Sequence, residues 1–207
     1  MGRFGVALAR ELERNGTEVL AVDDDEARVQ KYSNMLAHIV RADATDLEAL
    51  RELGAEEFNT AVVAVGTVEG STLAVSNLVQ LEVERIWGKA LSTQHARILE
   101  RVGATAVVQP EHDMGQRIAH LVSGEVLDYM QFGPNWVIAK TRPARFMVGV
   151  PLRDTGAREK YKITVVAVRE RGEAPFTYAD AETVLSYGNE ILVMGMTKDV
   201  RRFAALD

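Results

Sequence analysis

The first two-thirds of the chain alternates short β-branched apolar runs with stretches of helical period, and this alternation is its strongest structural signal. Val6, Leu8, Ala9 and Leu12 share one face of a helix predicted over 6–14, which Asn15-Gly16 ends. A strand over 19–22, a helix over 25–35, a strand over 37–41 and a helix over 47–53 closed by Gly54 follow. The pattern continues with a strand over 60–65, a helix over 71–81 and a strand over 85–91. A helix over 95–102 closed by Gly103 and a strand over 104–109 stopped by Pro110 complete it. Single helices between successive strands imply parallel strands with helices on both faces, a doubly wound α/β sheet of Rossmann-like type.

From residue 111 the period lengthens into a helix predicted over 111–129. Met114, Ile118, Leu121 and Val122 form an apolar stripe that Val126 and Met130 would extend. Such a stripe serves packing on its own domain, a dimer contact, or a crossover to a second lobe, and the sequence leaves all three open. Around Gly133-Pro134 the pattern changes. Strands are predicted over 136–141, 163–169, 183–185 and 190–194, with turns at Arg171-Gly172-Glu173 and Tyr187-Gly188-Asn189 and a terminal helix over 199–206. The expected organisation is a nucleotide-binding domain over 1–132, crossover helix included, and a smaller α+β domain over 133–207.

Composition narrows the function. The 207 residues are 47% hydrophobic and 26% charged, ordinary for a globular protein, with a formal charge of −6. No Lys/Arg-rich block occurs, which argues against a nucleic-acid partner. The absence of cysteine excludes disulfides and thiolate metal sites. No apolar run approaches the roughly 18–20 residues that cross a bilayer, so a cytosolic protein is expected, and one that serves a membrane process would do so by docking without insertion.

The chain opens on Met1-Gly2-Arg3-Phe4-Gly5. Gly2 and Gly5 match the second and third glycines of G-x-G-x-x-G, where the backbone approaches a pyrophosphate at a helix N-terminus. The first glycine and the strand before it are absent from this numbering. A central strand removed from a sheet leaves ladder groups unpaired at about 1–3 kcal/mol each, against a total stability of about 5–15 kcal/mol. The expectation is a natural start about ten or more residues earlier. The next strand runs into Asp23, an acid placed to accept ribose hydroxyls and to disfavour a 2′-phosphate, with Asp24 beside it and Asp25 free to cap the following helix. Asp43, Ala44 and Thr45 suit an adenine edge, while Asp46 caps the next helix. Val65 and Gly66 reach the carboxyl edge of the sheet, where open α/β folds bind ligands. Arg3, in the phosphate turn with Phe4, can reach terminal phosphates.

These residues, with Ile86-Trp87-Gly88-Lys89-Ala90 and Pro110-Glu111-His112-Asp113-Met114-Gly115, resemble the RCK (also KTN) family of cytosolic gating subunits of bacterial Trk and Ktr potassium uptake systems. The resemblance spans nearly the whole chain, its smaller C-terminal domain being of the RCK-C type. It implies dimers assembling into a ring, commonly an octamer, docked under a pore subunit at the inner face of the membrane, with ATP/ADP or NAD(H) in the Rossmann site. By position, it implies that Arg3 contacts the terminal phosphate, Asp23 the ribose and Asp43 to Thr45 the adenine, with Lys89 adding charge near the phosphates. It also implies that Glu111 helps hold a magnesium, calcium or sodium ion between nucleotides of paired subunits. Without it, Glu111 is a first-turn helix acid favoured by the macrodipole. Some relatives take cyclic di-AMP on the C-terminal domain, and Arg158 and 161–163 fall near the matching region.

The implied role is regulation, with no catalytic residue. Two other readings stand beside it: an NAD-dependent oxidoreductase and a free-standing nucleotide sensor. The oxidoreductase needs an acid/base group. His38, His95, His112 and His120 are scattered, His38 reading as strand packing, His95 as a helix cap, and the other two as residues of the long helix.

Overall fold

The computed structural model describes residues 1–122, 126–133, 135–170 and 175–206, apart from the His120 side chain. The proposed turn at Arg171-Gly172-Glu173 and the Pro134 of the domain boundary lie outside the described residues. The chain divides into two compact units, Met1–Pro110 and Glu111–Asp207.

The first unit alternates helix and strand as its apolar pattern requires: α1 (Arg3–Arg14), β1 (Ala21–Asp23), α2 (Glu26–Tyr32), β2 (Ile39–Arg41), α3 (Leu47–Glu52), β3 (Thr60–Val63), α4 (Val68–Gln80), β4 (Arg85–Lys89), α5 (Thr93–Val102) and β5 (Ala106–Val108). Every strand pair is parallel. The ladders form two groups, β1-β2 and β3-β4-β5, with no hydrogen-bonded pairing between them. The first turn of α1 spans the break: the Met1 amino group is ion-paired with Asp23 at the end of β1, and a Cβ on Gly5 would lie 3.9 Å from that of Ala64, just past β3.

The core of this unit lies where α4 and α5 cover β3 and β4, around Val63, Ala74, Val75, Leu78, Ile86 and Leu99. Gly88 makes the approach possible, since a Cβ there would come within 2.9 Å of Leu99 Cδ1. Local chemistry sets the helix ends. Asp25, Asp46, Thr67 and Ser92 each accept a backbone N–H at a helix start. Gly103 closes α5 at a φ of 117°, a conformation that disfavours any side chain.

The second unit contains α6 (Pro110–Val122), β6 (Asp128–Phe132), β7 (Trp136–Thr141), α7 (Ala157–Tyr161), β8 (Ile163–Arg169), β9 (Thr177–Tyr178), β10 (Glu190–Met196) and α8 (Thr197–Ala204). Its sheet is antiparallel, in the order β6-β7-β10-β8-β9. One face packs through Val137, Ala139, Ile163, Ile191 and Val193 against Met147, Val200 and Phe203.

The helix expected over 111–129 is described only to Val122, and 128–132 is strand β6. Pairing decides this: Tyr129 sits opposite Ala139 and is buried in the core, as is Val126, so the helical spacing of Val126 and Met130 is coincidental. Segment 111–132, assigned from sequence to the first domain, thus gives its strand to the second sheet, and the compact units divide at 110/111. The strand expected over 183–185 is reduced to single bridges, Val148 with Leu185 and Pro151 with Val184. No helix among the described residues is long and apolar enough to cross a membrane.

Candidate functional site

The carboxyl ends of the parallel strands in the first unit gather most of the residues nominated from sequence. At α1 the N-cap is Gly2, with extended backbone (φ −78°, ψ −176°), no side-chain cap and no acid in the first turn. The first helical bond is from Val6 N–H to the Gly2 carbonyl at 3.0 Å. The N–H groups of Arg3, Phe4 and Gly5 therefore have no helical acceptor, and the positive end of the helix dipole is open. A Cβ added to Gly2 would meet nothing within 4 Å, leaving room for a ligand. Arg3 is exposed and makes no hydrogen bond or ion pair among the described residues.

Asp23 is 7% exposed and densely partnered. It accepts the Asp25 N–H at 2.9 Å, faces Arg28 Nη1 at 3.5 Å, and pairs with the Met1 amino group. Burial, followed by the Arg28 charge, holds that amino group's pKa below its ordinary value. Arg28 was not nominated from sequence; an arginine five residues past the acid, on the helix that follows it, is the signal that could have found it. Asp24 contributes its carbonyl, which accepts Arg41 Nε–H at 3.2 Å, and Asp25 caps α2.

Beyond β2, the backbone N–H and the hydroxyl of Thr45 both donate to Asp43 Oδ1, at 2.8 and 2.7 Å. These two bonds hold the Asp43 carboxyl below the usual carboxylate range. The loop is fixed from behind by Asn77 on α4, whose Nδ2 donates to the carbonyls of Ala44 (3.4 Å) and Thr45 (2.9 Å). Sequence reading missed Asn77, although an amide among the apolar positions of a helix is a visible anomaly. Val65 and Gly66 lead into α4 as expected. That helix starts earlier than predicted because Thr67 caps it and Gly70 leaves space for Thr67, Val65 and Thr45, the last 3.8 Å from where its Cβ would be.

Lys89 ends β4, and its ammonium lies 5.9 Å from the centre of the Phe4 ring. That contact joins the fourth strand to the glycine turn. Asp23, Asp24, Asp43 to Thr45, Val65 and Gly66 stand at the carboxyl ends of their strands. A cavity of about 330 Å³ lies elsewhere, at the opposite strand ends between Glu18, Val19 and Phe58.

Glu111 lies in the first turn of α6, in the second unit. Among the described residues no three His, Cys, Asp or Glu side chains form a metal-holding group. Arg158 is exposed on α7, whereas Tyr161 is committed to packing, stacked on Phe146 at 4.8 Å and edge-on to Phe203 at 6.1 Å. His112 lies on α6 as expected, whereas His38 and His95 depart from their expected roles. His38 is exposed just ahead of β2, and His112 shares a hydrogen bond with Gln116. Ser92, not His95, caps α5; the His95 ring is buried against Ser71 and Leu91.

Residues 1–110 match the family model described as the TrkA-N domain. The Ktr system potassium uptake protein A of Bacillus subtilis is 35% identical over 205 residues, 98% of this chain and 92% of that protein. Among solved structures, the GsuK RCK domain superposes with a TM-score of 0.62 at 20% identity over 96% of this chain and 44% of its own. The GsuK channel bound to NAD does so at 0.62 and 18% identity, over 96% of this chain and 37% of its own. Both are likenesses of fold, and this chain spans less than half the length of either.

Proposed function

Because the chain belongs to the TrkA-N family, and within it to the RCK/KTN regulatory subunits of Trk- and Ktr-type potassium uptake systems, we propose that it binds an adenine nucleotide along the carboxyl edge of its first unit and so gates a membrane potassium-transport subunit. The observation that carries this reading is the convergence of Lys89 and Phe4 on the uncapped start of α1. Amide groups, the free Arg3 guanidinium and an ammonium together make a site for phosphate. Asp23 stands at the end of β1, where ribose hydroxyls would donate to it. The Asp43–Thr45 loop, stiffened by Asn77, offers a fixed edge to the base.

Regulation requires that the ligand favour one conformation over another. ATP and ADP differ by a γ-phosphate, and Arg3 is the side chain free to register it; NAD(H) would occupy the same crevice through its pyrophosphate. In this reading the subunits pair and close into an octameric ring at the inner face of the membrane. Glu111 would help hold a cation between the nucleotides of paired subunits, with phosphate oxygens as the remaining ligands, and Arg158 is the C-terminal candidate for a cyclic di-AMP phosphate. An oxidoreductase would turn over its nicotinamide; the regulator binds without consuming its ligand.

Titration calorimetry with ATP, ADP, NAD and NADH, beside an absorbance assay for NADH consumption, tests the proposal. Saturable binding without turnover is expected. Absence of binding by all four removes it, and NADH consumption with a small keto acid, or NADH formation from NAD and a small hydroxy acid, replaces it with the oxidoreductase.

A further inference from the structure

His95 is 1% exposed, and its imidazole touches two segments other than its own helix turn. Nδ1 accepts the Leu91 N–H at 3.1 Å, and Nε2 lies 2.8 Å from Ser71 Oγ. Ser71 is fully buried, with its hydroxyl 2.6 Å from the Thr67 carbonyl and 3.1 Å from that of Val68. The direction of these bonds follows from elementary chemistry. A backbone N–H only donates, so Nδ1 presents its lone pair and the neutral ring carries its proton on Nε2. Nε2–H then donates to Ser71 Oγ, and the Ser71 hydroxyl donates to the Thr67 carbonyl. A proton on Nδ1 would set two donors against each other at the Leu91 end. Burial, which pushes the His95 pKa down, acts in the same sense.

The two ends of this relay lie in the turns that carry site residues. Thr67 follows Gly66 and caps α4; Leu91 comes two residues after Lys89 and immediately before Ser92, which caps α5. The register between β3 and β4 ends at Val63 opposite Gly88, so the relay links the turns beyond the last pair of the ladder.

We propose, on the basis of the nucleotide-edge reading above, that His95 is a positioning residue for phosphate recognition: as a neutral Nε2–H ring bonded to Ser71, it holds the turn beyond Lys89 against the start of α4 and so fixes where the Lys89 ammonium stands. Neither His95 nor Ser71 touches the ligand. Their effect falls on ligands whose phosphate meets Lys89 and spares a ligand that engages only Asp23 and the Asp43–Thr45 loop.

The test compares ADP with adenosine on the wild-type protein, Ser71→Ala, His95→Leu and the double variant, each checked for fold by circular dichroism. ADP affinity is expected to fall roughly three- to tenfold in each single variant, with adenosine affinity unchanged. The double variant should be no weaker than the worse single one, the mark of one shared bond. Equal losses for ADP and adenosine, or additive losses, would overturn the positioning role. If the wild type binds neither ligand, the nucleotide reading itself fails and this role goes with it. Should a variant not fold, nitrogen-15 spectra of the wild-type imidazoles decide. His95 should carry its proton on Nε2 at about pH 8 and stay neutral to a lower pH than an ordinary imidazole. A proton on Nδ1 rejects the relay.

Discussion

The ammonium of Lys89, at the end of β4, lies 5.9 Å from the ring centre of Phe4, in the first turn of α1. A cation over an aromatic face contributes about 0.5–1 kcal/mol at an exposed site. Its larger effect is placement, holding a positive charge beside the helix start where a phosphate would sit. Lys89→Ala is expected to lower ADP affinity about tenfold, the scale of a charge-assisted hydrogen bond, and to weaken its salt dependence. Phe4→Leu, which keeps the bulk and removes the ring, should lower it less. Calorimetry at two salt concentrations reads both effects, and equal affinity across all three proteins would take Lys89 out of the site.

Arg3 is exposed and has no partner among the described residues, so its removal should be structurally silent. Arg3→Ala is expected to keep the wild-type melting temperature while ATP loses its advantage over ADP. An unchanged ATP-to-ADP affinity ratio would show that this guanidinium does not register the γ-phosphate.

Asn77→Ala removes the amide that ties α4 to the carbonyls of Ala44 and Thr45. Alanine suits a helix better than asparagine, so any loss of stability comes from the loop. The expected cost is about 1 kcal/mol, seen as a lower urea midpoint, with weakened adenosine binding. Faster hydrogen exchange at 43–45 would place the effect in the loop; unchanged exchange there would refute it.

The pH dependence of stability follows from His95. Burial lowers its pKa from the ordinary 6.5. In acid the unfolded chain therefore takes up a proton that the folded protein resists. The stabilisation tied to the neutral ring is fully present above about pH 6.5 and is lost as the pH falls from there through the depressed folded value. Urea midpoints for wild type should drop from about pH 7.5 to about pH 5.5 by more than they do in His95→Leu. Identical slopes in the two proteins would dissociate the acid sensitivity from this ring.

Much of the fold was legible because local chemistry dictates it. Strands β7 and β8 occupy the predicted spans, their side chains alternating between core and surface. Gly54 and Gly103 stop helices because both adopt left-handed backbone. Segment 128–132 was misread because its partner β7 supplies the ladder that makes it a strand, and no local pattern records that. The start of α4 was hidden behind Glu69-Gly70, since the need for glycine arises from Val65 and Thr67 packing over it. Asp23, the Asp43–Thr45 loop, Gly66 and Lys89 stand at one sheet edge because strand ends in a parallel fold converge there. Asn77 and the Ser71–His95 pair were invisible for a different reason: each joins segments 24 to 33 residues apart, and only the stacking of helix on sheet brings them within reach.

The tie from Asn77 to the carbonyls of Ala44 and Thr45 has a mechanical consequence. Because the amide sits on α4, the edge proposed for the base is carried by that helix, and the helix in turn starts at Thr67, directly after Gly66. A ligand that rests on the loop would brace the helix as well, so that occupancy and stiffness increase together. Heat should then unfold the filled protein less readily than the empty one, by an amount that grows with the logarithm of ligand concentration.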